Sequence, residues 1–245
     1  MKTNKANSCF SVLLCAVLLS SGCGEKNKPE EPKPENPTIQ LSTTVSIEMV
    51  KLPRPNEPVP AHFAEWFGKY EVTQAQWETV MGNNPSEFKA PNNPVERVSW
   101  NDCQEFLRKL NTLPVVKQSG LMFRLPTEEE WEHACRAGTT DDYCRLADGT
   151  EITKDTLGQV AWFDENSDDT THPVGQKQPN AFGLYDMHGN VWEWTSTADG
   201  ENRVQRGGSW DISAWWSKSS DRCRISPLGK SCNVGFRLCA SSRAD

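Results

Sequence analysis

The alternation of apolar and polar residues predicts a short strand at the start of a folded region. From residue 43 to residue 51 the two kinds of side chain alternate, which is typical of a strand with one buried face. The chain before residue 38 is rich in proline and charged residues and has little to bury. We therefore expect one globular domain over residues 38–245.

Local start and stop signals predict three short helices. Thr73 and Thr127 each open a capping box, and Ser99 begins another helix between them. Gly82 ends the first helix, and the last helix ends near Gly138. The middle helix has its apolar residues on one face and is expected to pack against a core; they are Cys103, Phe106, Leu107 and Leu110.

Beyond Gly138 short apolar pieces alternate with residues that favour turns. Gly, Asn, Asp, Ser and Thr are frequent there, which is typical of loops and short strands. The sequence therefore predicts an α+β domain with few short helices and much ordered loop. Ten tryptophans and nine phenylalanines supply large side chains for its core.

The first residues have the features of a bacterial signal peptide. Lys2 and Lys5 precede an apolar stretch, residues 9–19, that is too short to span a bilayer. Small residues then lead to Cys23, and this arrangement resembles a lipobox. The match is relaxed, because Leu19 lies four residues before the cysteine where three is usual.

This leader predicts a lipoprotein of the cell envelope. Residues 1–22 would be removed, Cys23 would carry the lipid anchor, and residues 23–37 would form a Pro-rich tether. Acidic residues behind Cys23 resemble the export signal of surface-displayed lipoproteins in some Gram-negative bacteria. We expect the lipid to anchor the protein to the outer membrane; secretion without an anchor is the alternative.

The charge and the cysteines narrow the classes of partner and cofactor. The net charge is −7 and no basic run occurs, which argues against nucleic acid as a partner. Six of the nine cysteines lie beyond Cys23, and an even number in an exported domain favours disulfides. None has the spacing of a zinc site, and only four histidines are present.

Five motifs in order resemble the formylglycine-generating enzyme family, also called the sulfatase-modifying factor family. They lie at residues 70–74 with 81–82, 94–95 with 98–100, 124–132, 183–194, and 206–210 with 235–237. The resemblance implies a variant of the C-type-lectin-like fold, with small twisted sheets and irregular structure around them. It covers roughly residues 45–240.

The resemblance also implies a reaction that this chain lacks the residues to perform. Enzymes of the family bind copper(I) through two cysteines and oxidise a substrate cysteine. The matching positions here are Ile212 and Ser217. Copper(I) selects soft thiolate ligands, so neither residue substitutes for cysteine. We therefore expect no copper, and the residues favour a protein that is not an enzyme.

Calcium is the cofactor that the resemblance does imply. In the family, two side chains and two backbone carbonyls of one turn hold a structural calcium ion. The matching residues are Asp186, Gly189, Val191 and Glu193. Carboxylates and carbonyls in a tight turn suit a hard cation. A turn held by hydrogen bonds alone is the alternative.

The family's disulfides imply a pairing for the six remaining cysteines. Two family pairs correspond to Cys135 with Cys223 and to Cys103 with Cys239, although Cys103 lies one helical turn earlier than its family counterpart. Cys144 is then left to pair with Cys232. This pairing would leave no thiol for oxidation chemistry.

Residues 211–233, between two family motifs, form the candidate ligand-binding segment. The family includes non-catalytic surface lipoproteins and receptors whose C-terminal segment is diversified by a retroelement. The adjacent Trp215 and Trp216 predict an exposed contact, unless a bent loop buries both. The candidate residues for a protein or glycan ligand are Asp211, Ile212, Ser213, Trp215, Trp216, Lys218, Ser220, Asp221, Leu228, Lys230 and Asn233. A copper oxidase of unusual design and an envelope scaffold protein are the alternatives.

Overall fold

The computed structural model describes residues 35–55, 58–60 and 63–243. The predicted signal peptide and lipidated Cys23 lie outside these residues, as does most of the predicted tether. Within the described part no helix is long and apolar enough to cross a membrane. The elements found there are short helices and strands joined by long loops, which confirms the α+β class.

A five-stranded antiparallel sheet brings the two ends of the domain together. Its strands are β1 (Thr38–Gln40), β2 (Ser46–Lys51), β3 (Trp66–Gly68), β4 (Leu121–Arg124) and β11 (Cys239–Ser242). Their order is β1-β2-β3-β11-β4. The last strand therefore lies between two strands from the first half of the chain, with Cys239 opposite Phe67 on one side and Arg124 on the other.

Two smaller sheets carry the second half of the chain. The larger has the order β10-β7-β8-β9, with β10 parallel to β7. Its strands are β7 (Trp192–Asp199), β8 (Asn202–Arg206), β9 (Arg222–Ile225) and β10 (Val234–Phe236). The smaller pairs β5 (Ala161–Trp162) with β6 (His188–Gly189) in parallel. The candidate ligand-binding segment therefore starts after β8, forms edge strand β9 and ends just before β10.

The three predicted helices are confirmed. The α-helices of the described residues are α1 (Gln74–Met81), α2 (Trp100–Leu110), α3 (Pro114–Gln118) and α4 (Glu128–Arg136). The side chains of Thr73, Ser99 and Thr127 each cap a helix by accepting a hydrogen bond from the backbone N–H three residues on. The sequence analysis missed α3, because five residues show no helical period.

Aromatic side chains join the elements in the main core. Trp77 of α1 stacks on Phe106 of α2 with ring centroids 5.4 Å apart, and Phe236 of β10 packs edge-on against both.

The first described residues are held to the five-stranded sheet by hydrogen bonds. The indole of Trp66 donates to the carbonyl of Glu35, and the N–H of Lys51 donates to the side chain of Asn36. The last residues of the predicted tether are therefore part of the folded domain.

Candidate functional site

A close approach of two backbones fixes the start of the ligand-binding segment. Gly207 and Gly208 follow β8 with φ of 102° and 77°, in the left-handed region. A β-carbon on Gly208 would lie 2.5 Å from the Ser217 hydroxyl. The segment therefore folds back onto its own first turn, and Ser217 is buried there.

Neither position that matches a copper-binding cysteine offers a metal ligand at the surface. Ile212 is half-buried and packs against the main core. Ser217 is fully buried, and its hydroxyl donates to the carbonyl of Ser213 at 3.4 Å. The Ser217 carbonyl accepts a hydrogen bond of 2.7 Å from Nδ1 of His188. Neither Ile212 nor Ser217 therefore presents a sulfur atom or an exposed polar ligand.

The structure corrects the predicted disulfides, because all six described cysteines are unpaired thiols. Cys135 is buried, with its sulfur 3.6 Å from His188 Nε2, whereas its predicted partner Cys223 is exposed on β9. Cys239 instead lies beside Arg124, with its sulfur 3.1 Å from a guanidinium nitrogen. The pairs Cys103–Cys239 and Cys144–Cys232 are likewise not formed.

Burial makes the interior thiols poor nucleophiles. It raises the pKa of Cys144 to about 12 and also raises the pKa values of Cys103, Cys135 and Cys239. It lowers the pKa of His188 to about 4, so this imidazole is neutral at pH 7. Because thiol attack needs the thiolate, these raised pKa values disfavour the buried cysteines as nucleophiles at neutral pH.

Both candidate contact tryptophans face solvent. They belong to the 3-10 helix Ala214–Trp216, in which Ala214 is buried while Trp215 is 60% and Trp216 is 66% exposed. The hydroxyl of Tyr143 donates to the Ala214 carbonyl at 2.7 Å and fixes the helix to the domain. The alternative in which a bent loop buries both rings is therefore wrong.

Two other candidate residues form ion pairs with acidic residues outside the segment. Lys218 pairs with Asp142 at 2.8 Å, whereas Lys230 pairs with Asp102 of α2 at 2.7 Å. The two ends of the segment meet where the amide nitrogen of Asn233 donates to the Asp211 carboxylate at 3.0 Å. The remaining candidates are exposed or half-buried; they are Ser213, Ser220, Asp221 and Leu228.

The sequence analysis missed a second wall beside the tryptophans. Residues 141–154 form a loop that, with Trp215 and Lys218, lines an open cavity of about 310 Å³. The loop residues that line it are Asp141, Asp142, Tyr143, Glu151, Ile152, Thr153 and Lys154. Nothing in their order separates them from an ordinary polar loop, because only the fold brings them to residue 215.

The predicted calcium residues lie in a tight turn under the second sheet. Asp186, Gly189 and Asn190 all have left-handed backbone, with φ of 56°, 83° and 56°. One Asp186 oxygen accepts from the Gly175 N–H at 2.7 Å, and the other has no partner among the described residues. Both Glu193 oxygens accept hydrogen bonds from Arg237.

Buried carboxyl groups outnumber buried cations around this turn. Three buried carboxylates, those of Glu71, Asp186 and Glu193, share the buried guanidinium of Arg237. Burial, followed by repulsion from Asp186 and Glu193, raises the pKa of Glu71 well above its usual range. Burial raises the pKa of Asp186 to about 6. Among the described residues no group of three or more His, Cys, Asp or Glu side chains forms a ready metal cage.

Sequence comparison finds relatives with different stated roles. The family model described as "Sulfatase-modifying factor enzyme 1-like domain" matches residues 34–242. A Paenibacillus barcinonensis protein named chaperone protein LppX is 31% identical over 228 residues, covering 72% of this chain and 80% of that protein. A Bos taurus protein named inactive C-alpha-formylglycine-generating enzyme 2 is 34% identical over 185 residues, covering 69% of this chain and 57% of that one.

A relative that is named as the enzyme covers less of the chain. The formylglycine-generating enzyme of Thermomonospora curvata is 33% identical over 167 residues, covering 64% of this chain and 47% of the enzyme. The chain thus spans about half the length of the formylglycine-generating enzyme relatives that it matches.

Structural comparison confirms the expected fold. Treponema denticola variable protein 1 superposes with a TM-score of 0.73 at 29% identity, covering 85% of this chain and 99% of that one. PvdO from Pseudomonas aeruginosa superposes with a TM-score of 0.63 at 23% identity, with the same coverage. The arrangement of few helices and small sheets is therefore the lectin-like variant that the motifs predict.

Proposed function

Because the chain belongs to the sulfatase-modifying factor enzyme 1-like family yet has no sulfur at residues 212 and 217, we propose that it is a non-catalytic binding domain. The observation that carries this proposal is the buried hydroxyl of Ser217 where the enzymes hold copper(I). The raised pKa values of the interior thiols support it, since they leave little thiolate at neutral pH.

The copper oxidase alternative has a direct test. The purified chain, loaded with copper(I) and given a cysteine-containing sulfatase peptide, should consume no oxygen above the copper-free control. Oxygen uptake with formation of formylglycine would overturn the proposal.

The ligand-binding surface is centred on Trp215 and Trp216. Two large exposed rings on a helix fixed by Tyr143 give rigid contact area at a low entropy cost. The Treponema structure that this chain resembles is named a variable protein, which supports the proposal that a retroelement diversifies residues 211–233. We expect a template repeat and a reverse transcriptase gene beside the gene for this chain. If both are absent, the proposal of diversification is wrong.

We place the domain in the cell envelope as a lipoprotein anchored through Cys23. The lipobox-like leader supports this location. A role in envelope assembly is the second candidate function, because the Paenibacillus relative is named a chaperone. Labelling with a radioactive fatty acid should mark the wild-type chain and leave Cys23→Ser unlabelled.

Removing both exposed rings should abolish ligand capture without unfolding the domain. We expect Trp215→Ala/Trp216→Ala to lower the amount of ligand captured from envelope extracts by about tenfold or more, since exposed aromatic anchors dominate binding energy. The melting temperature should stay the same, because neither side chain is buried. The matched control is Met122→Ala, at a half-exposed apolar residue of β4. Undiminished capture by the double variant would favour the assembly role.

Calcium at the turn of residues 186–193 is a separate proposal. The free oxygen of Asp186 and the excess of buried carboxyl groups over buried cations support it, as do the oxygen ligands that the turn offers. Asp186, Glu193 and the carbonyls of Gly189 and Val191 would hold the ion, which would neutralise charge that Arg237 leaves unbalanced. Glu193 would share its oxygens between the ion and Arg237.

Removal of calcium should lower the melting temperature at neutral pH. We expect a chelator to lower it by about 5 °C or more, because binding to the native state alone stabilises it. The response should disappear in Asp186→Ala and persist in Asp148→Ala, which changes an exposed loop carboxylate. If the chelator does not change the melting temperature of the wild-type chain, hydrogen bonds alone hold the turn and the calcium proposal is wrong.

A further inference from the structure

The cavity beside Trp215 is held open by hydrogen bonds between its two walls. The hydroxyl of Tyr143 donates to the Ala214 carbonyl at 2.7 Å. The N–H of Ser219 donates to the Asp142 carbonyl, also at 2.7 Å. The loop and the ligand-binding segment therefore form one preorganised site, and little ordering entropy remains to be lost on binding.

The lining favours a polar ligand that has one apolar face. Trp215 supplies the exposed apolar surface, while Tyr143 and Ile152 are buried in the floor. The rest of the lining carries carboxylates, a hydroxyl and ammonium groups. An aliphatic or aromatic side chain of a partner protein would need an enclosed pocket, whereas this cavity is open to solvent. A sugar ring stacks its C–H face on an indole and directs its hydroxyls to polar walls.

The ion pairs around the cavity leave the ammonium of Lys154 available to a ligand. Asp142 pairs with Lys218 at 2.8 Å, and Arg145 pairs with Glu151 at 2.9 Å. Lys154 forms no ion pair with any residue in the described ranges. Its ammonium lies 5.7 Å from the centre of the Trp215 ring, and that of Lys218 lies 4.7 Å from it. Both ammonium groups lie over the ring, so a ligand that packs against Trp215 meets positive charge there.

We propose that this cavity binds a sugar residue that carries a carboxylate, such as a uronic acid at the end of an acidic glycan. The ring would stack on Trp215, and the carboxylate would pair with Lys154. Asp142 and Glu151 would accept hydrogen bonds from ring hydroxyls. This inference rests on the proposed binding function of residues 211–233 and gives that surface a ligand class.

The test compares two sugars that differ in one charge. Methyl glucuronide and methyl glucoside would be titrated into the full chain while the indole N–H signals are followed by NMR. We expect both sugars to shift the Trp215 signal, with an affinity about fivefold higher for the glucuronide, the size expected for one exposed ion pair. Lys154→Gln should bring the two affinities together, and Trp215→Ala should abolish binding of both.

Trp216→Ala is the matched control, since Trp216 is equally exposed but does not line the cavity. It should leave both titrations unchanged. Equal affinities in the wild-type chain, or no shift at Trp215, would overturn the inference. If neither sugar binds while the Trp215/Trp216 double variant still loses capture of a protein from envelope extracts, the surface recognises a protein. The proposed function would then stand without this ligand.

Discussion

Replacing Arg237 with methionine is expected to lower the free energy of unfolding by about 3–5 kcal/mol, the cost of breaking a buried ion pair from one side. The Arg237 side chain is fully buried and donates to the Glu193 carboxylate at 2.7–3.1 Å. It also donates to the carbonyls of Gly68 and Tyr185. Methionine fills much of the same volume but leaves the buried Glu193 carboxylate without its cation. Urea unfolding measures the loss.

Arg224→Met is the matched control for this prediction. Arg224 lies on β9 with its side chain 68% exposed and is 3.3 Å from Asp199. An exposed pair of this kind contributes little, so we expect a change of less than about 0.5 kcal/mol. A similar small change for Arg237→Met would mean that the buried carboxylates are protonated or neutralised by another cation.

Gly189→Ala is expected to destabilise the domain by about 3 kcal/mol, more than backbone strain alone explains. Gly189 has φ of 83° and pairs with Trp162 across the two-stranded parallel sheet. A β-carbon there would collide with the Trp162 carbonyl oxygen. That oxygen accepts a hydrogen bond from the Asn190 N–H, so it cannot move away without breaking the turn.

Gly183→Ala separates strain from collision. Gly183 has nearly the same φ, 85°, but among the described residues nothing lies within 4 Å of the place that a β-carbon would take. We expect a cost of about 1 kcal/mol, the conformational penalty alone. Thermal or urea unfolding of the two variants gives the comparison. Equal losses would show that the Trp162 strand yields to the added carbon.

The helices were predictable because their signals are local. A cap needs a hydroxyl and a backbone N–H three residues on, so Thr73, Ser99 and Thr127 specify helix starts wherever the chain goes. The order of the strands was not predictable in this way. The central place of β11 depends on contacts between residue 239 and residues 67 and 124, which are far apart along the chain.

For the cysteines, too, the sequence gives the residue type but not the position of the side chain in the fold. Their number in the sequence favoured disulfides, but pairing depends on where each sulfur lies. Cys135 faces His188 in the interior while Cys223 lies on an exposed edge strand, a difference in burial that the spacing does not encode. The calcium prediction depends equally on geometry, because Glu193 also binds Arg237.

By itself the sequence determined the family, and it places Ile212 and Ser217 where the resemblance implies copper-binding cysteines; the expectation of no copper follows because the identity of a side chain fixes which metal it binds. Only the tertiary structure decided that Trp215 and Trp216 are both exposed. A 3-10 helix has three residues per turn, so burying Ala214 directs the next two side chains away from the core. The tertiary structure also decided that residues 141–154 form the wall of the cavity opposite Trp215. Hydrogen bonds from Tyr143 and Ser219 join these two segments, which lie far apart along the chain.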